Sequence, residues 1–493
     1  MRKFGKTLYV IWILLFIAAF SNEGKSNTDY SQVFECKSFQ EFQLALEKAE
    51  PESTLKLTYS FTADGTLEEN FYKIRDALYE AKKNIVLDLS DAKNITYIPE
   101  KAFSHDNKGK LVYLTDIIFP KSNMTRIGGF AFRGCESFTS IIIPESVTNV
   151  DEGAFTGCIS LTRAVIPKNV TSIGIAIFAG CINLSTIEVD ENNSKYTTID
   201  GNIYSKDTKT FIQYAPGKRG SFVIPNHVTS IEMGAFAACQ GISDITIPNS
   251  VTSIGRFAFL FCNGLTLVKI PASVSKIGDG PFSGCLNLMA IGVSSGNSDY
   301  TSIDGNLYSK DKKIFVQYAP SKSGSFVMPE GVISINPFAF TQCANLTSIS
   351  IPNSVTSIGT GAFTDCKSLT GIIMPNNVTS IGEFAFGNCS GLASVIMSNN
   401  IESIGNVAFG NCSSLTSIVI PKSITKLDKG VFWGCSSLKD ITFEAVTPPA
   451  IGINTFYGNV TDRIITVPAG KGDVYRTAEG WSEYADIIKA LDE

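Results

Sequence analysis

Histidine is nearly missing from this chain, which has only His105 and His227 among its 493 residues. The sequence also lacks the H-E-x-x-H and C-x-x-C motifs and any phosphate-binding glycine loop. These absences disfavour nucleophilic hydrolases, zinc enzymes and nucleotide-dependent enzymes. We therefore predict no catalytic residues, no metal and no cofactor, and we interpret both histidines as solvent-exposed residues of turns.

Long apolar runs are also missing, except at the N-terminus. Residues 7–20 are mostly apolar and follow three basic residues, and Ala19 and Ser21 suit a cleavage site, so residues 1–21 are predicted to be a secretory signal peptide. An uncleaved anchor is the alternative. Cleavage would change the formal net charge from −5 to −8 and leave no membrane span. Such an acidic, exported chain disfavours nucleic-acid binding, which needs clustered Lys and Arg. It favours a secreted or cell-surface location.

What the chain does have is a fixed period. Eleven of its twelve cysteines stand 23 residues apart, with two wider intervals of 58 residues. They are Cys135, Cys158, Cys181, Cys239, Cys262, Cys285, Cys343, Cys366, Cys389, Cys412 and Cys435. A period of this length is typical of a solenoid, in which each coil buries its apolar residues against its neighbours. We therefore expect function to reside on a long surface and not in a pocket.

Each unit reads L-x-x-I-x-I-P-x-x-V-T-x-I-G-x-x-A-F-x-x-C-x-x, as in Leu346–Ser368 and Leu415–Ser437. Its first six positions alternate as a strand does, with positions four and six inward and positions three and five outward. Proline at position seven ends this strand. The V-x-x-I segment predicts a second, shorter strand, and A-F-x-x-C predicts a helical or 3₁₀ turn. Because equivalent side chains would stack about 4.8 Å apart, the phenylalanines should form a column beside the cysteines.

The cysteine column has two competing interpretations. An even number of cysteines in an exported protein suggests disulfides. However, equivalent Cβ atoms in a stack lie about 5 Å apart, farther than the roughly 3.5–4.5 Å that a disulfide spans. A column of eleven also leaves one cysteine over. We favour buried, reduced thiols that fill space as small apolar residues.

Each 58-residue interval holds an enlarged coil. Residues 196–216 recur 104 positions later as residues 300–320. Asp200-Gly201 and Asp304-Gly305 predict protruding hairpins, whose tyrosines we expect to pack against the coil.

The two ends of the chain depart from the repeat, as solenoid ends must if they are to cover an exposed core. Near the N-terminus, S-F-Q-E and T-L-E-E predict capping boxes that open two amphipathic helices, with strands near Leu55–Tyr59 and Ile85–Leu89. The predicted domains are a signal peptide (1–21), a small α/β N-terminal cap (22–84), the solenoid (85–460) and a C-terminal cap (461–493).

These units resemble the BspA-like branch of the leucine-rich repeats over roughly Ile85 to Leu491. The resemblance includes the D-G-N-x-Y-S-K-D insert and the V-P-x-G…Y…G-W-x-x-Y ending from Val467 to Tyr484. It implies an α/β-type leucine-rich-repeat solenoid with a parallel β-sheet. Members of this family are exported or surface proteins of host-associated microbes, and some bind matrix or plasma proteins or adhere to cells. The resemblance therefore implies a non-enzymatic protein that binds extracellular or cell-surface proteins.

The outward-facing position five suggests where a partner binds. It holds Ile373, Ile396 and Val419 on consecutive strands, and adjacent exposed apolar side chains are typical of interaction sites. Alternatively, these residues are apolar only because β-branched residues favour strands, or they are covered by another element of the fold. The tyrosine-rich hairpins are a rival contact surface.

Two further functions stay open. Some β-solenoids cleave polysaccharides with aligned carboxylates. If this chain did so, the hydrolytic site would lie under the hairpins, at Asp200 or Asp304. Position five of the strands, however, holds a single acid, Glu188. Residues 190–193 (DENN) suggest calcium, but the matching residues 294–297 (SSGN) offer fewer oxygen ligands. The remaining possibility is a structural envelope component with no soluble partner.

Overall fold

Parallel strands stacked in register form the framework of the chain in the computed structural model, which describes residues 32–62, 65–104, 111–121 and 123–492. The predicted signal peptide and His105 lie outside the described residues. The chain divides into two compact units, one up to Ile245 and one from Thr246. Each unit is a solenoid with little helix, which confirms the predicted fold class. The domain boundaries predicted after residues 21, 84 and 460 stay predictions.

In the first unit, most coils contribute one longer and one shorter strand, whereas the two longer strands nearest the N-terminus are each followed by a helix. The longer strands are Val33–Cys36, Ser53–Leu57, Ile85–Asp88, Leu114–Ile118, Ser140–Ile142, Arg163–Ile166, Thr186–Val189 and Gly220–Val223, with Ile242–Thr246 at the boundary between the units. The shorter strands are Tyr97–Ile98, Arg126–Ile127, Asn149–Val150, Ser172–Ile173 and Ser230–Ile231. Equivalent residues pair without offset, since Ala164 lies between Ile141 and Ile187. This register is the one that the 23-residue period predicts.

Two helices pack beside the first strands. They are α1 (Phe39–Lys48) and α2 (Leu67–Ala81). The capping box of α2 is complete: Thr66 accepts a hydrogen bond from the amide of Glu69, whose carboxylate accepts one from the amide of Thr66. In α1, Ser38 caps the helix as predicted. The carboxylate of Glu41, however, accepts from the amide of Lys37, so only half of the predicted box forms.

The second unit repeats this plan. Its longer strands are Leu267–Ile270, Ala290–Val293, Gly324–Val327, Leu346–Ser350, Gly371–Ile373, Ser394–Ile396, Ser417–Ile420, Asp440–Phe443, Ile464–Val467 and Ile488–Ala490. Its shorter strands are Ser253–Ile254, Lys276–Ile277, Ser334–Ile335, Ser357–Ile358, Ser380–Ile381, Ser403–Ile404, Lys426–Leu427 and Ala450–Ile451. The tail adds helix α3 (Gly472–Arg476) and a 3₁₀ helix (Ser482–Ile487). Trp481 anchors the tail, because its indole nitrogen donates to the carbonyl of Pro449 at 2.9 Å.

The A-F-x-x-C segments form single turns with 3₁₀-type hydrogen bonds, as predicted, for example from the amide of Cys158 to the carbonyl of Phe155 at 3.3 Å. One residue of each such turn has a left-handed backbone, for example Gly153 (φ 59°), which prevents a regular helix. Alternate amides bond to the next coil. The amide of Phe155 donates to the carbonyl of Ile177 at 2.9 Å, and that of Phe363 donates to the carbonyl of Ala385 at 2.7 Å. The turns therefore form a hydrogen-bonded ladder of their own.

The predicted phenylalanine column is confirmed. Phe386 stacks between Phe363 and Phe409, with ring centroids 5.1 and 5.2 Å away and planes within 3° of parallel. The enlarged coils contribute Phe211 and Phe315, which the pattern missed and which stack on the next phenylalanine at 4.7 and 4.6 Å. Offset stacking of this kind adds to the apolar area that the rings bury.

All twelve cysteines are buried free thiols, which confirms the predicted burial of the column. Most thiols of the column donate to the previous coil, as where Sγ of Cys389 lies 3.0 Å from the carbonyl oxygen of Phe363, whereas Cys239 donates to Ala237 of its own coil. Burial raises the pKa of Cys285 to about 12, because desolvation disfavours the thiolate. The thiol therefore keeps its proton at neutral pH and can donate it.

The enlarged coils are part of the sheet and do not merely protrude. Each holds three antiparallel strands, Tyr196–Ile199, Asn202–Ser205 and Thr210–Gln213 in one and Tyr300–Ile303, Asn306–Ser309 and Ile314–Gln317 in the other. The third strand pairs in parallel with the next shorter strand, Thr210 with Ser230 and Ile314 with Ser334. Tyr204, like Tyr308 in the second unit, is buried, as predicted for tyrosines that pack against the coil.

Candidate partner-binding surface

An exposed line of apolar side chains follows position five of the strands in the second unit. Ile373, Ile396 and Val419 are 66%, 55% and 50% exposed, and Ile373 pairs directly with Ile396. Val327 holds the same position in the coil that follows the enlarged one, is 74% exposed, and pairs with Ser350. We call Val327, Ile373, Ile396 and Val419 the apolar row. The structure places the three predicted residues at the surface, while their binding to a partner stays a prediction.

The sequence pattern missed Val327 and its counterpart in the first unit, Val223. The strands Gly220–Val223 and Gly324–Val327 lack the leucine at position one, so a pattern anchored on leucine passes over them. The signal that could have identified both valines is the proline that ends V-I-P (residues 223–225) and V-M-P (residues 327–329). A register set from position seven would have placed both valines at position five.

A groove adjoins the apolar row. The strands Leu346–Ser350 and Gly371–Ile373 belong to separate two-stranded sheets, and the groove lies between the ends of these strands. Its volume is about 350 Å³. Its lining is Ile349, Ser350, Ile351, Asn353, Ile373, Met374, Pro375 and Asn376. The groove thus has an apolar floor, asparagines at its rim and one wall made by a member of the apolar row.

The surface around the apolar row carries no charge at positions three and five from Val327 to Val419. The flanking position-three residues are Ser325, Ser348, Gly371, Ser394 and Ser417. Small polar neighbours leave the aliphatic side chains standing above the sheet. Depletion of charge around an apolar centre is characteristic of the middle of protein interfaces.

The equivalent surface of the first unit is different. Ile142 is 62% exposed, but the line ends at Glu188, which pairs with Val165 on the neighbouring strand. Arg163 donates two hydrogen bonds of 2.6 Å to the carboxylate of Glu188, and these bonds, together with the charge of Arg163, lower the pKa of that carboxyl. This exposed ion pair makes the first unit the less apolar of the two surfaces.

The aspartates of the hairpins have structural roles. Asp200 and Asp304 are left-handed turn residues, each with φ of 48°, and the amino groups of Lys218 and Lys322 donate to their backbone carbonyl oxygens. Turn geometry thus accounts for both residues without catalysis. No observation favours the hydrolytic alternative.

The DENN segment is also explained by the fold. Asn193 is buried, and its side chain makes four hydrogen bonds, two donated to the carbonyls of Pro167 and Val170 and two accepted from the amides of Lys195 and Tyr196. Asn297 does the same in the second block. Within the described ranges, no cluster of three or more His, Cys, Asp and Glu residues could hold a metal ion.

His227 departs from its predicted environment. It lies in a turn, but its ring is half-buried, with its centroid 6.1 Å from that of Tyr204. The interpretation of this residue as a fully solvated one is therefore wrong. Tyr204 lies over His227 because the enlarged coil pairs with the next shorter strand, Ser230–Ile231, which His227 precedes in the chain.

Stacked coils with a hydrogen-bonded surface and an apolar row define a repeat protein of the leucine-rich class. The model of the BspA type leucine rich repeat region matches in six copies, over residues 96–216, 210–323 and 311–439. These matches cover more than half of the chain, and the protein belongs to the BspA-type leucine-rich-repeat family. No curated protein matches the chain. Among the residues described, none of the helices has the length and apolar character needed to cross a bilayer.

Solved structures with similarity to the chain include bacterial leucine-rich-repeat proteins. One is a leucine rich cell surface protein from Faecalibacterium prausnitzii, 32% identical with a TM-score of 0.49, over 65% of this chain and 83% of that one. A leucine-rich repeat protein from Eubacterium ventriosum is 24% identical with a TM-score of 0.42, over 66% and 83%. The pneumococcal vaccine antigen PcpA is 17% identical with a TM-score of 0.36, over 82% and 77%.

Proposed function

We propose that this protein is a secreted or cell-surface, non-enzymatic binding protein that adheres to matrix, plasma or cell-surface proteins through the apolar row. The observation that carries the proposal is the uncharged strip from Val327 to Val419, with four exposed aliphatic side chains and an adjoining groove. Leucine-rich-repeat family membership supports a binding role. The predicted signal peptide supports export.

The size of the apolar row indicates how strongly it contributes. Complete burial of one aliphatic side chain is worth about 1.5–3 kcal/mol, so burying the exposed half to three quarters of four such side chains contributes about 4–8 kcal/mol. Association itself costs about 4–15 kcal/mol. The apolar row alone therefore gives weak binding at best, and useful affinity needs further contacts from neighbouring coils and the groove.

The groove offers the partner an anchoring site. An apolar side chain inserted between Ile349 and Ile373 would lose its contact with water, and Asn353 and Asn376 could hydrogen-bond to the partner's backbone at the rim. Since no charge lies along the row, the matching segment of the partner is expected to be neutral.

The test compares capture of purified plasma and matrix proteins by the full chain and by variants. We expect Ile373→Asp combined with Ile396→Asp to abolish capture of a protein that the wild type binds, because two carboxylates would have to be desolvated in the interface. Ile142→Asp is the matched control, since that side chain has similar exposure in the first unit. Equal capture by the double variant would remove the apolar row as the binding site.

A further inference from the structure

The last coils of the second unit carry exposed aromatic side chains on their turn side, away from the apolar row. Position 19 of the repeat holds threonine or glycine in the four coils before them, such as Gly387 and Gly410, but holds Trp433 and Tyr457 in the last two coils. Tyr457 is 65% exposed, and Trp433 is partly exposed. Because glycine serves at the same position, the fold does not require aromatic rings there.

The backbone places these two side chains on adjacent coils. The amide of Gly434 donates to the carbonyl of Tyr457 at 2.7 Å, and the preceding rings, Phe432 and Phe456, stack in parallel with centroids 5.8 Å apart. Trp433 and Tyr457 therefore leave the turn ladder at equivalent points, one coil apart. Two neighbouring rings on one surface make a platform.

Side-chain amides border the platform. The amide nitrogen of Asn411 donates to the side-chain oxygen of Asn388 at 2.9 Å, and the backbone amide of Asn411 donates to the carbonyl of Trp433 at 2.6 Å. A Cβ atom at Gly434 would lie 2.2 Å from Oδ1 of Asn411, so the absence of a side chain there keeps that oxygen in place beside Trp433. The platform thus combines two aromatic rings with the side-chain oxygen of Asn411, whose amide nitrogen is already bonded to Asn388.

From this combination we infer a second binding site, a stacking platform for a neutral oligosaccharide formed by Trp433 and Tyr457, with the side-chain oxygen of Asn411 at its border. The negative face of an aromatic ring attracts the partly positive C–H face of a pyranose. An amide oxygen accepts a hydrogen bond from a neighbouring hydroxyl. The charges on the turns of these coils are mixed: Asp365 forms an ion pair with Lys367 at 4.0 Å, and Glu383 and Lys429 have opposite signs, so a neutral sugar meets no large net charge.

This site is independent of the proposed protein-binding surface. The apolar row contains no aromatic side chain and no charge from Val327 to Val419, with Asp440 on the next strand, whereas the platform lies on the turns and is built from rings and an amide oxygen. A chain that binds proteins through one side and glycans through the other could attach to glycosylated surfaces at two points. Each site can fail experimentally without the other.

The test uses affinity electrophoresis in gels that contain a neutral polysaccharide (cellulose-derived, mannan, xylan, starch or β-1,3-glucan), together with fluorescence titration with the matching hexasaccharides. Of the three tryptophans, Trp12 lies in the predicted signal peptide, Trp481 is fully buried and Trp433 is partly exposed. A sugar-dependent change in emission that Trp433→Gly abolishes therefore reports on Trp433. We expect at least one probe to retard the full chain at millimolar concentration. Trp433→Gly, which restores the residue found in earlier coils, should weaken that binding about tenfold, or about 1.4 kcal/mol.

Tyr457→Gly provides a second variant that keeps the fluorescent reporter, and its binding should weaken to a similar degree. Ile373→Asp is the control and should bind the sugar as the wild type does. Unchanged thermal unfolding would show that the variants are folded. Failure of every probe to bind the folded wild type, or equal binding by both glycine variants, would overturn the platform. So would Trp433-dependent capture of a protein in place of a sugar.

Discussion

Removal of one ring from the phenylalanine column is the most informative perturbation of the fold. Phe386 is fully buried and stacks on Phe363 and Phe409. Phe386→Ala removes buried area and leaves a cavity, which costs about 3–5 kcal/mol. Phe386→Leu keeps most of the volume but loses two stacking contacts of about 0.5–1.5 kcal/mol each, so it should cost about 1–3 kcal/mol. Ile396→Ala, at an exposed position, should stay within about 0.5 kcal/mol.

The loss should also be local. Coils of a solenoid are stabilised by their neighbours, so a cavity at Phe386 weakens the coils on either side more than distant ones. Hydrogen exchange detected by mass spectrometry measures this directly. The amides of Phe363 and Phe386, which donate to the next coil at 2.7 Å, should lose protection. Those in the strand Ile85–Asp88 should keep theirs.

Two results would refute this reasoning. One is a cost for Phe386→Leu as large as that for Phe386→Ala, which would mean that ring stacking and not the cavity dominates. The other is a uniform loss of protection along the whole chain. Uniform loss would contradict stabilisation by nearest neighbours.

Three further predictions concern buried polar groups. Burial raises the pKa of Asp365, one carboxylate oxygen of which has no hydrogen-bond partner; Asp365→Asn should therefore raise the free energy of unfolding by about 1–2 kcal/mol at pH 7. In urea titrations this advantage should vanish near pH 3, where the carboxyl is protonated in both states; persistence there would contradict it. Because burial raises the pKa of Cys285 from 9.0 to about 12, its contribution to stability is complete below pH 9 and is lost as pH rises toward 12. Constant stability from pH 9 to 11 would count against buried thiols. Asn193→Ala loses four hydrogen bonds and should lower the free energy of unfolding by about 2–4 kcal/mol, and with it the melting temperature. The exposed Asn192→Ala is the control and should leave the melting temperature unchanged. Equal effects of the two substitutions would contradict the structural role of Asn193.

Sequence reasoning predicted the repeating parts of the fold well, because a stacked array constrains every coil in the same way. The columns of phenylalanine and cysteine and the alternation of the longer strand each follow from one period. Features that depend only on nearby residues, such as the helix cap at Thr66, were also predictable, since the hydrogen bonds involved lie within four residues of the chain.

The parts that depend on neighbouring coils were harder to predict. The turn after Gly153 forms no regular helix because alternate amides bond to the next coil, and no pattern within one unit encodes that choice. Phe315 lies in the ring column only because the third strand of its enlarged coil pairs with the strand that begins at Ser334. The strand Val33–Cys36 was missed because its place is set by pairing with Ser53–Leu57.

The candidate site was predictable only in part, for a related reason. Position five marks an outward direction, so the exposure of Ile373 follows from the strand period. The groove beside it needs the interruption between two sheets, which arises where Gly371 begins a short strand. The aromatic platform becomes visible only when Trp433 and Tyr457 are compared with Gly387 and Gly410 at the same position of a known register.

Titration of thiols in the absence of reductant tests in-register stacking most directly. In the native chain, the buried thiols should react slowly or not at all. In denaturant, twelve should react per chain, since all twelve cysteines are free. A count of reacting thiols that falls short of twelve by an even number would show that sulfurs are joined in pairs. The stacked columns on which both binding surfaces depend would then be wrong.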